Sequence, residues 1–438
     1  MEKKVTVIGG GLAGCEAAYQ LALQGIQVVL YEMKPTRFSP AHESDKLAEL
    51  VCSNSFRANS IDSAVGLLKE EMRQLGSLTM EAAEHSSVPA GKALAVDRNL
   101  FAESITRTIQ NQPNIQLVRE EVTNLPDTTE SPVIVATGPL SSEAFTARLA
   151  ELTGEKLAFY DAIAPIVDGE SLNKDIIYRK SRWDDEGPGD YLNCPMSEEQ
   201  YLHFYQLLTS AETVPLKSFE QEKYFEGCLP IEVMASRGVD TLRFGPMKPV
   251  GLAHPVTGEV FHAVVQLRAE NRTGTMYNLV GFQTKLKYKE QLAVFRSIPG
   301  LENAEFLRMG SIHRNTFICS PALLDSWLQM KNRPGLFVAG QLAGVEGYVE
   351  SAAMGLLAGI NVAEMLKKGQ LPEPPPEDTA LGALITHLTK ADPDHFQPSN
   401  VNFGLFPPLK KKMRKRDRGA FRAQQALLSH QQWRTTLL

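Results

Sequence analysis

The sequence predicts an α/β fold, a parallel sheet with helices on its faces, interrupted by a mixed, β-rich α+β insertion. Three observations predict it. A glycine-rich turn, G-x-G-x-x-G at 9–14, sits directly between a strand-like apolar run and a helix-like run. Apolar runs ending in glycine return in PVIVATG at 132–138 and in GLFVAG at 335–340, as buried parallel strands do. Between them, from about 155 to 310, frequent Pro and Gly and alternating segments such as HAVVQLRAEN replace that pattern.

Taken in order, VTVIGG reads as a buried strand, GLAGCEAAYQLALQG as a helix with small residues at its start, and IQVVLYE as a second strand, a βαβ unit. Residues 36–60, rich in Ser, Asn, Pro and charge, read as a long loop. Helices are expected over 64–75 and 98–110, then a strand in IQLVREEV. After the insertion, SAAMGLLAGINVAEMLKKG reads as a helix and LPEPPPED as a Pro-rich linker. A chain of 438 residues exceeds one ordinary core. The expected division is 1–154 for the first part of the nucleotide-binding domain, 155–310 for the insertion that meets substrate, and 311–438 for the return segment and a basic C-terminal tail.

Composition narrows the function. Five cysteines, an odd number without a C-x-x-C, argue for reduced thiols rather than a disulfide framework or zinc. The nine histidines include no H-E-x-x-H, so no metal is expected. The apolar run near the start is too short for a signal peptide, and the most apolar stretch, 351–366, is interrupted by Asn361 and Glu364. A cytoplasmic protein without a membrane span is expected. Net charge is -6, yet 410–418 reads KKKMRKRDR, seven basic residues and one acid, so the rest of the chain bears -12. An acidic body that holds a polyanion needs some positive surface, and this run is the candidate for phosphate contact.

Gly9, Gly11 and Gly14 carry the dinucleotide fingerprint, with Gly10, Leu12 and Ala13 between them and Glu32 at the end of the next strand. Glycine permits the tight turn, the approach of backbone to pyrophosphate and close helix packing. The helix N-terminus favours the phosphate charge, and the acid accepts from ribose hydroxyls. This is a Rossmann-type domain. Gly138, at the end of VATG, and Gly340 and Gln341, in LFVAGQLAG, match the two later glycine-ended strands of flavin-binding Rossmann proteins. An NAD-only domain has no need of that distant return, so FAD is the expected cofactor.

Cys15 lies at a small-residue packing position of the first helix, and Cys194 and Cys319 read as structural on similar grounds. Cys228 lies in a Gly-Cys-Leu-Pro turn with Lys223 near in sequence, and Cys52 lies among polar residues with Arg57 close by. A thiol is nucleophilic as thiolate, which a nearby cation favours, and spacing alone leaves open whether either is catalytic.

VIGGGLAGCEAA, ELVCSNSFR, LRFGPMKPVGL, YNLVGFQTKLK, HRNTFICSP, GLFVAGQLAGVEGYVESAAMG and FQPSNVNFGLFPPL together resemble motifs of the folate- and flavin-dependent tRNA (uracil-5-)-methyltransferases, short relatives of glucose-inhibited division protein A. The resemblance spans essentially the whole chain. It implies bound FAD reduced by NAD(P)H, 5,10-methylenetetrahydrofolate as carbon donor, and methylation of the T-loop uridine, position 54 of tRNA. It also implies that Cys52 and Cys228 are the two functional thiols, and Lys285, in GFQTKLK, is a candidate to face the folate. Carbon 5 of uracil is a poor nucleophile until a thiolate adds at carbon 6; a base must then remove the carbon 5 proton, and a hydride completes the methyl group. Attack is expected from Cys228, with Cys52 as base or methylene-handling residue. The rivals are the longer wobble-uridine-modifying relatives, which carry a helical C-terminal extension, and a plain flavin oxidoreductase, which would want a redox C-x-x-C.

Overall fold

The strand Lys4–Ile8 lies at the centre of a five-stranded parallel sheet, in the order Leu336–Val338, Val133–Val135, Lys4–Ile8, Gln27–Tyr31, Ile115–Val118. The computed structural model describes residues 4–154, 157–182, 189–215, 229–409 and 413–437. VIV and LFV are buried at every position, as strands covered on both faces must be. The helix Leu12–Leu23 follows the glycine turn, and the long helix Tyr348–Lys368 packs along it. Gly355 and Gly359 make that contact possible, since a Cβ on them would lie 2.1 Å from the carbonyl oxygen of Ala13 and 2.8 Å from that of Ala17. Among the described residues, Tyr348–Lys368 is the one helix long and apolar enough to cross a membrane, and it is mostly buried in the core.

The chain leaves this sheet after the helix Glu143–Thr153 and returns through a two-stranded antiparallel ribbon, Leu157–Ile163 with Ser311–Phe317. Between the ribbon strands lies a six-stranded sheet, in the order Tyr178–Arg179, Tyr191–Met196, Ala263–Ala269, Met276–Leu279, Ile166–Asp168, Phe306–Arg308. It has its own core, built on Phe204, Phe282, Phe295 and Leu267, whereas Phe317, Phe337 and Leu356 of the return segment join the core of the first sheet.

Two local expectations are corrected. The end of the supposed loop 36–60 forms a strand, Ser55–Ala58, paired with Ala93–Val96, with Phe56 buried. A short strand rich in Ser and Arg has too few apolar residues to show a period. The Pro-rich stretch 371–378 links the helix Tyr348–Lys368 to the helix Ala380–Lys390, which docks its first backbone N–H groups, of Ala380 and Leu381, on the Glu71 carboxylate at 2.8 and 2.9 Å. The segment beyond the basic run is no tail but the helix Arg418–Arg434, which buries Ala423, Ala426, His430 and Trp433. Those four positions make one helical stripe that a Gln- and Arg-rich sequence hides.

Candidate active site

The glycine turn owes its shape to contacts that admit no side chain. A Cβ on Gly9, where φ is +106°, would lie 2.4 Å from the carbonyl oxygen of Ala136, and one on Gly14 would lie 1.7 Å from that of Gly9. A Cβ on Gly11 would meet nothing within 4 Å, and Gly11 is the N-cap of Leu12–Leu23, with no side-chain cap and no acid in the first turn. Uncapped backbone N–H groups thus face open space, as a pyrophosphate site requires. Glu32, nearly buried, accepts from the backbone N–H of Gly10 at 2.8 Å through one oxygen and from that of Lys34 at 2.9 Å through the other. It also lines a cavity of about 50 Å³ with Gly9, Glu121, Ser142 and Phe145, at the carboxyl ends of the strands where α/β sheets take nucleotides. Gly138 has φ +70° and open space before it, while Gly340, φ +76°, packs on the Ala13 methyl.

Farther along the same edge a cavity of about 300 Å³ opens between the two cores. Gln341 and Cys52 both line it, with Tyr348, Glu346, Asn278 and Arg268. The residues present fit a dinucleotide cofactor: an open helix N-terminus after the glycine turn, an acid beside it, and a larger cavity along the same edge. Cys228 and Lys223 lie outside the described residues. Lys285 is buried, and its backbone N–H donates to the Glu232 carboxylate at 2.6 Å.

The Cys52 segment is held by side chains from both cores. Its own N–H and that of Ser53 donate to the Tyr348 hydroxyl at 2.8 and 3.1 Å. Arg98 donates to the carbonyl of Leu50 at 2.6 Å and pairs with Glu270 of the insertion, whose side chain is almost wholly buried. Arg268 donates to the side-chain oxygens of Asn54 and Ser53, both at 2.8 Å, and Asn54 in turn donates to the carbonyls of Val96 and Ala269. Among the described residues the Cys52 thiol itself makes only a long contact, 3.7 Å to the carbonyl oxygen of Ala162. Its backbone is fixed and its sulfur is nearly uncommitted.

Behind it, Arg57 holds a left-handed backbone, φ +62°, and pairs with the buried Glu350. Buried Lys69 donates to the carbonyls of Phe56, Arg57 and Ala58, and burial, with Arg73 and Arg57 adding, pushes its amine down to about 7. In the cavity wall, burial and then the Asp161 carboxylate hold the Glu346 carboxyl well above the ordinary range, although Gln341 donates to it at 2.7 Å. Cys15 is the opposite of Cys52: buried, its thiol on the carbonyl of Gly10 at 3.3 Å and raised by burial, it is a packing group.

Sequence reasoning missed Arg98, Arg268, Tyr348 and Glu346. Only the last two carried a local signal, since an acid and a tyrosine flanking Gly347 at the head of an apolar helix are out of keeping with a core element.

The model of the family described as glucose inhibited division protein A matches residues 4–370. A relative from Desulfotalea psychrophila (strain LSv54 / DSM 12343), named methylenetetrahydrofolate--tRNA-(uracil-5-)-methyltransferase TrmFO, is 62% identical over 98% of this chain and 97% of its own length. A relative of the same name from Geobacter sulfurreducens is 58% identical over the full length of both. The crystal structure of Aquifex aeolicus GidA (form I) superposes with a TM-score of 0.69 over 99% of this chain and 78% of that one, at 19% identity, a likeness of fold. The chain belongs to the glucose inhibited division protein A family.

Proposed function

We propose that this protein is a methylenetetrahydrofolate–tRNA-(uracil-5-)-methyltransferase that makes 5-methyluridine at position 54 in the T-loop of tRNA. The observation that carries the reading is the seat of Cys52, a thiol whose backbone N–H is held by Tyr348 and whose sulfur makes one long contact, in the wall of the cavity that also holds Gln341 and Tyr348. Relatives of that name at 62% and 58% identity across nearly the whole chain support it.

In this reading Gly9, Gly10, Gly11, Leu12, Ala13 and Gly14 cradle the pyrophosphate of FAD, Glu32 meets its ribose, and Gly138, Gly340 and Gln341 border the flavin end. When bound, FAD reduced by NAD(P)H supplies the hydride that completes the methyl group. Cys228 adds to carbon 6 of the uracil, which makes carbon 5 nucleophilic toward the methylene of the folate. Cys52 then takes the carbon 5 proton as the bond between the methylene and the folate nitrogen breaks, releasing tetrahydrofolate; once the exocyclic methylene has gained its hydride, the sulfur leaves carbon 6 and the ring regains its double bond. Arg98 and Tyr348 hold the backbone that carries the thiol, and Arg268 holds the Ser53 and Asn54 side chains beside it, so that the sulfur approaches without a search over rotating chain. The insertion at 155–310 and the basic run at 410–418 hold the RNA, in the cytoplasm where tRNA is matured.

The test is to incubate unmodified tRNA transcript with the protein, NADPH and methylenetetrahydrofolate and to analyse nucleosides. 5-Methyluridine at position 54 is expected; its absence with reagents shown active overturns the reading. Covalent trapping of a 5-fluorouridine tRNA by a Cys228→Ala protein would reverse the two thiol roles.

A further inference from the structure

The sheet of the insertion contains two buried asparagines that behave differently. Asn193, fully buried, donates to the carbonyls of Tyr178, Lys180 and Tyr191, and its oxygen accepts from Gln266 at 3.2 Å. It is a structural asparagine with every need met. Asn278, 3% exposed on the strand Met276–Leu279, has a buried amide nitrogen, Nδ2, with no hydrogen-bond partner among the described residues. Buried donors are nearly always paired, so an unpaired one needs an explanation.

The strand register supplies part of it. The residues opposite Asn278 on its two neighbouring strands are Arg268 and Ile166. A guanidinium carries only donors and an isoleucine side chain neither donates nor accepts, so neither offers Nδ2 an acceptor. Arg268 is moreover turned to Asn54 and Ser53. Asn278 nonetheless lines the cavity that holds Cys52, followed in the same wall by Val280, Gly281 and Gln283. Among the described residues nothing accepts from this amide, so the acceptor is sought in what enters the cavity that Asn278 lines.

We propose that Asn278 positions a substrate by pairing its carboxamide with a cyclic amide edge, a ring carbonyl beside a ring N–H. A carboxamide is the natural complement of that edge, since it donates to the carbonyl and accepts from the ring N–H. The inference rests on the function proposed above, in which two substrates present the same edge: the target uracil and the pterin of the folate. Asn278 is a positioning residue for one of them, and its place on a central strand holds that ring against the wall facing Cys52.

The test uses full-length, flavin-loaded protein with Asn278→Asp, which keeps the shape and removes the donor, and Asn278→Ser as a second variant should the first fold poorly. KM and kcat are measured for methylenetetrahydrofolate at saturating tRNA, and for tRNA at saturating folate, beside the unaltered protein. A rise in KM of about tenfold or more for one substrate is expected, the loss typical of a buried hydrogen bond left unmade. A rise for folate assigns the pterin; a rise for tRNA assigns the uracil. Both KM values within about twofold of the unaltered protein would overturn the proposal, as would an effect confined to flavin content and its visible spectrum. If the unaltered protein forms no 5-methyluridine, the proposed function has failed, and calorimetric binding of tetrahydrofolate and of tRNA to protein and variant still decides the role of Asn278.

Discussion

The βαβ unit Lys4–Tyr31 and the segment around Cys52 belong to one core, yet they are built in opposite ways. In the first, the decisive contacts run between near neighbours: Gly14 against Gly9, Cys15 against Gly10, Glu32 against Gly10 and Lys34. In the second, they come from far along the chain: Tyr348 on Cys52 and Ser53, Arg268 on Ser53 and Asn54, and Arg98 holding Leu50 while pairing with Glu270. The phosphate site is local chemistry. The thiol site is an assembly that exists only once both cores have folded against each other.

Substitutions can break this contrast at either end. The largest effect is expected from Gly14→Val, whose Cβ would meet the Gly9 carbonyl at 1.7 Å. Overpacking against backbone costs about 3 kcal/mol or more, and the protein should purify without flavin and melt early. A yellow, stable Gly14→Val protein would show that the turn is not the phosphate site.

Next comes Cys52→Ala. Removing a positioned base lowers methylation by about a hundredfold or more with little change in melting temperature. Cys15→Ala should do the reverse, sparing methylation in the protein that still folds while removing a small group from the core. Equal activity losses in the two proteins would erase the distinction drawn between them.

Arg98→Met tests the tie between the cores. It strands the Glu270 carboxylate in a buried place, and breaking such a pair costs about 3 kcal/mol. Both denaturant stability and methylation should fall, whereas flavin retention, which depends on the local unit, should hold. Loss of flavin in step with stability would mean that the two regions are not separable.

The smallest expected effect lies away from both. Burial, with Arg434 adding, pushes the ring of His430 down to about 4, and the ring lies on the buried face of the C-terminal helix with one nitrogen on Gln74 at 3.2 Å. The unfolded chain, titrating near the ordinary 6.5, takes up a proton before the folded one does. The contribution of His430 is therefore complete above about 6.5 and is lost as pH falls toward 4. Thermal melts across this window should fall more steeply for the native protein than for His430→Leu; parallel curves would remove His430 as the cause.

Much of the first region was legible in advance. Strand, glycine turn, helix and acid appear in order in one continuous stretch, so the βαβ unit and its open helix N-terminus follow from residues that touch their own neighbours. The return of the chain at Gly335 to the same sheet was legible too, because VIV and LFV are apolar at every position and only a doubly covered strand tolerates that. The docked C-terminal helix was not legible, since its buried stripe of small and mixed residues is spread through a charged, Gln-rich sequence.

LVCSNSFRAN shows where sequence stops being enough. Glycine spacing and strand hydrophobicity are governed by backbone sterics and by burial of contiguous residues, and these determined the nucleotide-binding fold from the sequence alone. Whether Cys52 faces a cavity, what holds its backbone, and that Asn278 stands in the same wall with a donor unpaired among the described residues were decided by tertiary structure. The reason is distance along the chain: partners from Arg98 to Tyr348 converge on the backbone beside this thiol, and a hydrogen bond between residues far apart in sequence leaves no periodicity in it.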